Sequence, residues 1–240
     1  MSDLKIKTVA KATTDYLLSP PLEITVNDRA ATRDAIIKQL NRNGCNFITR
    51  SDWAAHKNKS EKMKDDWNYK NIAIHHAGRS YACGPGALQL QEIQRFQMDK
   101  SINSMDDIGY HYAVDCSGNI FEGRDIRFKG EHVHNYNTGV IGIVLLQNMS
   151  TPEEGGDSIS RLRVFLKKMG YKDNIEIPEN QRKALSMLID VLSTFFHISV
   201  LGGHREFPRQ LGEGKICPGN AGLSLIKSLR KSKGLAAPQS

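Results

Sequence analysis

Cysteine is scarce in this 240-residue chain. There are four, Cys45, Cys83, Cys116 and Cys217, and none stands at the short spacing of a metal finger. So few in a chain of this size predict no disulfide framework. No run approaches the ~18 to 20 apolar residues of a membrane span. The opening Met1-Ser2-Asp3-Leu4-Lys5-Ile6-Lys7 lacks the apolar stretch of a secretory signal. Basic runs interleaved with aromatics are missing, which argues against a nucleic-acid binder. The net charge of +7, from 33 basic and 26 acidic residues, suits an anionic partner but is scattered along the chain. What remains is 39% hydrophobic and 25% charged content, enough for one well-buried core.

The signals along the chain alternate between strand and helix. Residues 1–45 read as an N-terminal extension, with an extended piece at Leu22 to Val26 and a helix from about Ala30 to Asn41. Asn71 to His75 reads as a short buried strand. Gly86 to Asp99 reads as a helix with Leu88, Ile93 and Phe96 on its apolar side. Tyr110 to Val114 and Asn119 to Glu122 are two strands about a Ser117-Gly118 turn, and the apolar run Val140 to Leu146 is a central strand. A helix from about Pro178 to His197 repeats apolar residues at helical spacing. A strand from Ser199 to Leu201 follows, then a last helix from Leu223 to Lys231. Interleaving of this kind predicts an α/β domain, a central mixed β-sheet flanked by helices. The expected division is an extension over 1–45, one domain over 46–232 and a flexible tail over 233–240. A polar loop and a possible helix over 150–177 form an insert with no evident chemistry.

Several separated segments carry unusual residues in one order. They are Ile48-Thr49-Arg50-Ser51-Asp52-Trp53, Ile72-Ala73-Ile74-His75-His76-Ala77 and Asp107-Ile108-Gly109-Tyr110-His111-Tyr112. Tyr136-Asn137-Thr138, Gly202-Gly203-His204-Arg205-Glu206 and Lys215-Ile216-Cys217-Pro218-Gly219 complete the set. Together these resemble the zinc N-acetylmuramoyl-L-alanine amidases of the peptidoglycan-recognition type, over roughly residues 47–229. The family includes phage lysozyme-amidases, bacterial amidases and animal peptidoglycan receptors.

The resemblance implies one zinc ion held by His75, His204 and Cys217. Two nitrogens and a sulfur leave a fourth tetrahedral position open, the layout of a catalytic site. It further implies that Tyr110 and Lys215 stabilise charge and handle protons during hydrolysis of the bond between muramic acid and L-alanine. One branch of the family uses a glutamate in the strand corresponding to Val140–Leu146; none stands there. The step from His204 to Cys217 is longer than in most relatives, so Arg209 to Gly214 must bulge outward. Animal members carry a small disulfide just after the first zinc histidine. With only Cys83 in that region, the bridge is expected to be absent, which points to a bacterial or phage origin.

The other histidines receive separate expectations. His76 follows the ligand on one strand, so it faces the opposite side as core or zinc support, with a place on the substrate side as the alternative. His111 likewise faces away from the zinc. His132, His134 and Asn137 border the substrate groove in relatives and are expected to contact peptidoglycan. Two other classes stand beside the amidase: a non-catalytic peptidoglycan receptor, and a regulator that binds another protein. The setting implied is a phage lysin or an interbacterial toxin, made in the cytoplasm and acting on the cell wall; a toxin would bring a cognate immunity protein as partner.

Overall fold

The computed structural model describes residues 28–78, 81–154 and 175–239. The expected strand at 22–26 and the helix within the 150–177 insert lie outside these residues. A six-stranded mixed sheet runs through the molecule. Its strands are β1 (Phe47–Ile48), β2 (Asn71–His76), β3 (Tyr112–Val114), β4 (Ile120–Glu122), β5 (Val140–Leu145) and β6 (Val200–Gly203), in the spatial order β1-β4-β3-β5-β2-β6. Only β3 and β4 pair antiparallel, as a hairpin about the Ser117-Gly118 turn; the other neighbours are parallel. The helices are α1 (Asp28–Arg42), α2 (Gly86–Met98), α3 (Glu179–Phe195) and α4 (Gly219–Lys233).

The alternation of side chains along a strand divides the core between two faces. Ile141, Ile143 and Leu145 of β5 join Ile72 and Ile74 of β2 beneath α1 and α3, which contribute Ile36, Leu40, Leu185, Leu188, Ile189 and Leu192. Val144 turns the other way, with Ala113 and Phe121, onto Leu90 and Ile93 of α2. Strand β5 is buried along its whole length, which is why it reads as an unbroken apolar run.

Two details depart from expectation, and a third shows how the N-terminal helix is held. Helix α2 buries Gly86, Leu90, Ile93 and Gln94, while Leu88 and Phe96 stand 62% and 54% exposed. The inward stripe includes the polar Gln94 because its amide is satisfied there by Asp107 and the His56 backbone. The C-terminal segment is docked rather than frayed: Ala236 donates to the Ser199 carbonyl and accepts from Leu201. Helix α1 is part of the main core through Ile36 and Leu40, and Arg33 forks onto the buried Glu122 at 2.6 and 2.8 Å.

The cysteines require the clearest correction. Cys83 and Cys116 form a disulfide, joining the loop after β2 to the turn after β3. The two are 33 residues apart in sequence, and only the fold brings their loops together. This overturns the expectation of a chain without disulfides, although the bridge spans 33 residues and is not the small local one that animal members carry. Among the described residues, no helix is long and apolar enough to cross a membrane.

Candidate metal centre

Strand parity decides which of the paired histidines faces the centre. Ile72, Ile74 and His76 share one side of β2, so His75 points to the other. His75 is 1% exposed, and its Nδ1 lies 3.6 Å from Cys217 Sγ. His76 points into the core, where its Nδ1 accepts from the Met149 amide. It still serves the centre through its backbone, whose N–H donates to Cys217 Sγ at 3.4 Å. His204 enters from the turn after β6, with its ring 4.5 Å from that of His75.

One candidate ligand atom from each of His75, His204 and Cys217 lies within 4.8 Å of the others. A tetrahedral zinc with Zn–N near 2.05 Å and Zn–S near 2.3 Å would hold N and S roughly 3.6 Å apart. The observed 3.6 Å between Cys217 Sγ and His75 Nδ1 meets that demand. The residues therefore fit a three-ligand zinc site.

The ring nitrogens are assigned by their partners. His132 Nε2 faces the Val140 carbonyl, which can only accept, so Nε2 carries the proton and Nδ1 is an acceptor. His75 Nε2 stands 3.1 Å from that Nδ1 and must donate to it. This leaves the His75 Nδ1 lone pair directed at the centre. A support of this kind fixes a ligand's tautomer and orientation. His132 is thus not a groove residue: it is buried behind His75. Two glycines make its slot, since a Cβ at Gly142 or Gly130 would stand 2.5 Å from the His132 ring.

Burial sets the protonation states. It drives His75 well below the usual histidine range, helped by His204 and His132 nearby. It brings His204 down to about 4, with the Gln210 hydrogen bond opposing and Lys215 assisting. Both imidazoles are neutral near pH 7 and available as ligands. Burial also pushes the Cys217 thiol up to about 12, against the lowering effects of the His76 amide, Arg205 and Lys215. A divalent cation reverses that logic, because a coordinating thiol is deprotonated outright.

Tyr110 packs beside the ligands, its ring 4.9 Å from His75. Burial, with the Cys217 charge second, raises its phenol pKa, so it remains a hydrogen-bond donor. Lys215 is exposed at the rim, and its charge acts on both His204 and Cys217. The remaining expected groove residues have other engagements. Asn137 Oδ1 accepts from the backbone of His132 and Val133, holding their loop. His134 lies exposed beside Glu213 at 3.2 Å. His111 is buried away from the ligands, accepting from Gly142 at Nδ1 and donating to the Phe128 carbonyl.

The bulge after His204 contains a residue that motif reading missed. Gln210 is fully buried and its Oε1 lies 3.0 Å from His204 Nε2. Its only trace in the sequence is the unusual length of the segment carrying it.

Residues 65–220 match the family model described as N-acetylmuramoyl-L-alanine amidase. The chain belongs to that family. Among curated proteins it is similar to peptidoglycan-recognition protein SC2 of Drosophila melanogaster, with 35% identity over 111 residues, 45% of this chain and 58% of the relative. The chain thus spans little more than half the length of that relative. Among solved structures, Drosophila PGRP-LB aligns with a TM-score of 0.59 and 21% identity, covering 80% of this chain and 96% of that one. Human PGRP-IBETAC in complex with glycosamyl muramyl pentapeptide aligns at 0.57 and 20%, covering 76% and 94%. These likenesses establish the peptidoglycan-recognition fold.

Proposed function

We propose that the protein is a zinc-dependent amidase that cleaves the amide bond between N-acetylmuramic acid and L-alanine in peptidoglycan. The observation that carries this reading is the convergence of His75, His204 and Cys217 at the separation a tetrahedral zinc requires. The substrate class comes from the family and from the muramyl peptide bound by the human relative.

Zinc in such a site supplies Lewis acidity and a water of lowered pKa, which is what amide hydrolysis at neutral pH needs. The chain's own residues do the rest. The neutral imidazoles hold their lone pairs toward the centre because His132 and Gln210 occupy their opposite nitrogens. Lys215 places an ammonium at the rim, where it offsets negative charge developing on the scissile carbonyl. Groups in this role typically contribute about 3 to 4 kcal/mol to the barrier. Tyr110 stays protonated and donates a hydrogen bond rather than accepting a proton.

The wall-facing side of a membrane is the proposed place of action. The Cys83–Cys116 disulfide supports it, because such bonds persist in oxidising compartments. The test is digestion of purified peptidoglycan with zinc and after chelation, with products read by mass spectrometry. Free stem peptides bearing a new L-alanine amine, lost on chelation and in Cys217→Ala, are expected. Intact sacculi that still carry the protein down on sedimentation would replace the amidase by a receptor.

A further inference from the structure

Gln210 lies in the connection between His204 and Cys217 and is buried, while Leu211 to Lys215 beside it are exposed. Its amide is held from both sides. The nitrogen donates to the carbonyls of His134 at 3.0 Å and Pro208 at 3.2 Å, which turns the oxygen toward His204 Nε2. A carbonyl oxygen only accepts, so the proton of His204 sits on Nε2 and the lone pair on Nδ1. Nδ1 is then the nitrogen left to meet His75 and Cys217.

We propose that Gln210 is a positioning residue for the metal centre, setting the tautomer and ring angle of His204 so that Nδ1 is presented as a ligand. This rests on reading the site as a metal centre. The arrangement matches the support of His75 by His132, with one difference of origin. His132 comes from the loop before β5, whereas Gln210 comes from the extra length between two ligands. That length has turn geometry at each end, with positive φ at Arg209 and Gly214. It is tied across to the loop before β5 twice, by Gln210 to the His134 carbonyl and by Glu213 to the His134 ring. The bulge therefore bridges the two sides of the cleft and carries the amide to His204.

The test uses the full chain with its disulfide intact and zinc alone as the probe. Affinity is read by competition with a chromophoric chelator. Long-range proton–nitrogen NMR of the metal-free protein reports the His204 tautomer. In the wild type, His204 is expected as the Nε2–H form. Gln210→Leu is expected to weaken zinc binding by about 10- to 100-fold and to mix the tautomers. Glu213→Ala removes the exposed tie to the His134 ring while leaving the Gln210–His204 hydrogen bond in place, and should leave affinity close to that of the wild type.

An Nδ1–H tautomer in the wild type overturns the proposal without need of any variant. A Gln210→Leu variant that loses zinc affinity while His204 keeps the single Nε2–H tautomer also overturns it, because only the amide's packing would then matter. So does a Glu213→Ala variant that loses as much as Gln210→Leu, which would make the bulge a simple anchor. A wild type that binds no zinc defeats the metal-centre reading instead, and the tautomer spectrum still reports the Gln210–His204 bond.

Discussion

Zinc binding should release a single proton between pH 5 and 6.5, and this count probes the burial of the whole centre. In the metal-free fold burial brings His204 down to about 4 and His75 well below the ordinary histidine value. Both rings are therefore already neutral at pH 5 and have no proton to lose. The Cys217 thiol, pushed up to about 12, is fully protonated and must lose one. Affinity then rises tenfold per pH unit, about 30-fold over the interval. Two histidines at the ordinary value of about 6.5 would each add roughly a further 16-fold, for a total near 10,000-fold. The sign is the same in both cases, since acid competes with the metal; the slope separates them. Calorimetric titration of zinc in buffers of different ionisation enthalpy counts the protons directly. Two or three protons released at pH 5 to 5.5 would refute the claim that burial keeps the ligands neutral. None released would remove Cys217 from the ligand set.

Other consequences follow from the same environment. His111 is buried and brought down to about 4 by desolvation, so the unfolded chain binds its proton first. Its contribution is complete above about pH 6.5 and is lost as the pH falls toward 4, about 3 kcal/mol in all. Chemical denaturation of the metal-free protein across that range, against His111→Gln, measures it; a flat profile would sink the assignment. Gly142→Ala places a Cβ 2.5 Å from the His132 ring. A loss of about 1 to 3 kcal/mol, with weaker zinc binding as His132 is displaced from His75, is expected from denaturation and chelator competition. Reducing the Cys83–Cys116 bond opens a loop of 33 residues and should cost about 3 to 4 kcal/mol of stability, read as a lower denaturation midpoint.

Much of the sheet was legible from local pattern. The run from Val140 to Leu145 declares a strand covered on both faces, because every position in it is apolar. The choice of His75 came from the motif, with parity placing His76 on the opposite face, and Tyr110 and Lys215 came from their places in motifs. His132 was read as a groove residue because its segment borders the groove in relatives. Its real setting depends on Gly130 and Gly142, which open a slot only when two loops and a strand converge. Leu88 and Phe96 misled because a hydrophobic stripe and a buried polar stripe can share one helix. Which stripe turned inward was decided by Asp107 and the His56 backbone, which satisfy Gln94.

By itself the sequence determined the class of fold, through alternation in strands and helical spacing, and pointed to the three candidate ligands through the segments that resemble the family. Tertiary structure alone decided the disulfide, the protonation states and the supports behind the ligands. Cys83 meets Cys116 across 33 residues, and Gln210 meets His204 only because the His134 and Pro208 carbonyls turn its amide. Such contacts depend on where loops close in space and on how much water their closure excludes, and a linear pattern carries neither quantity.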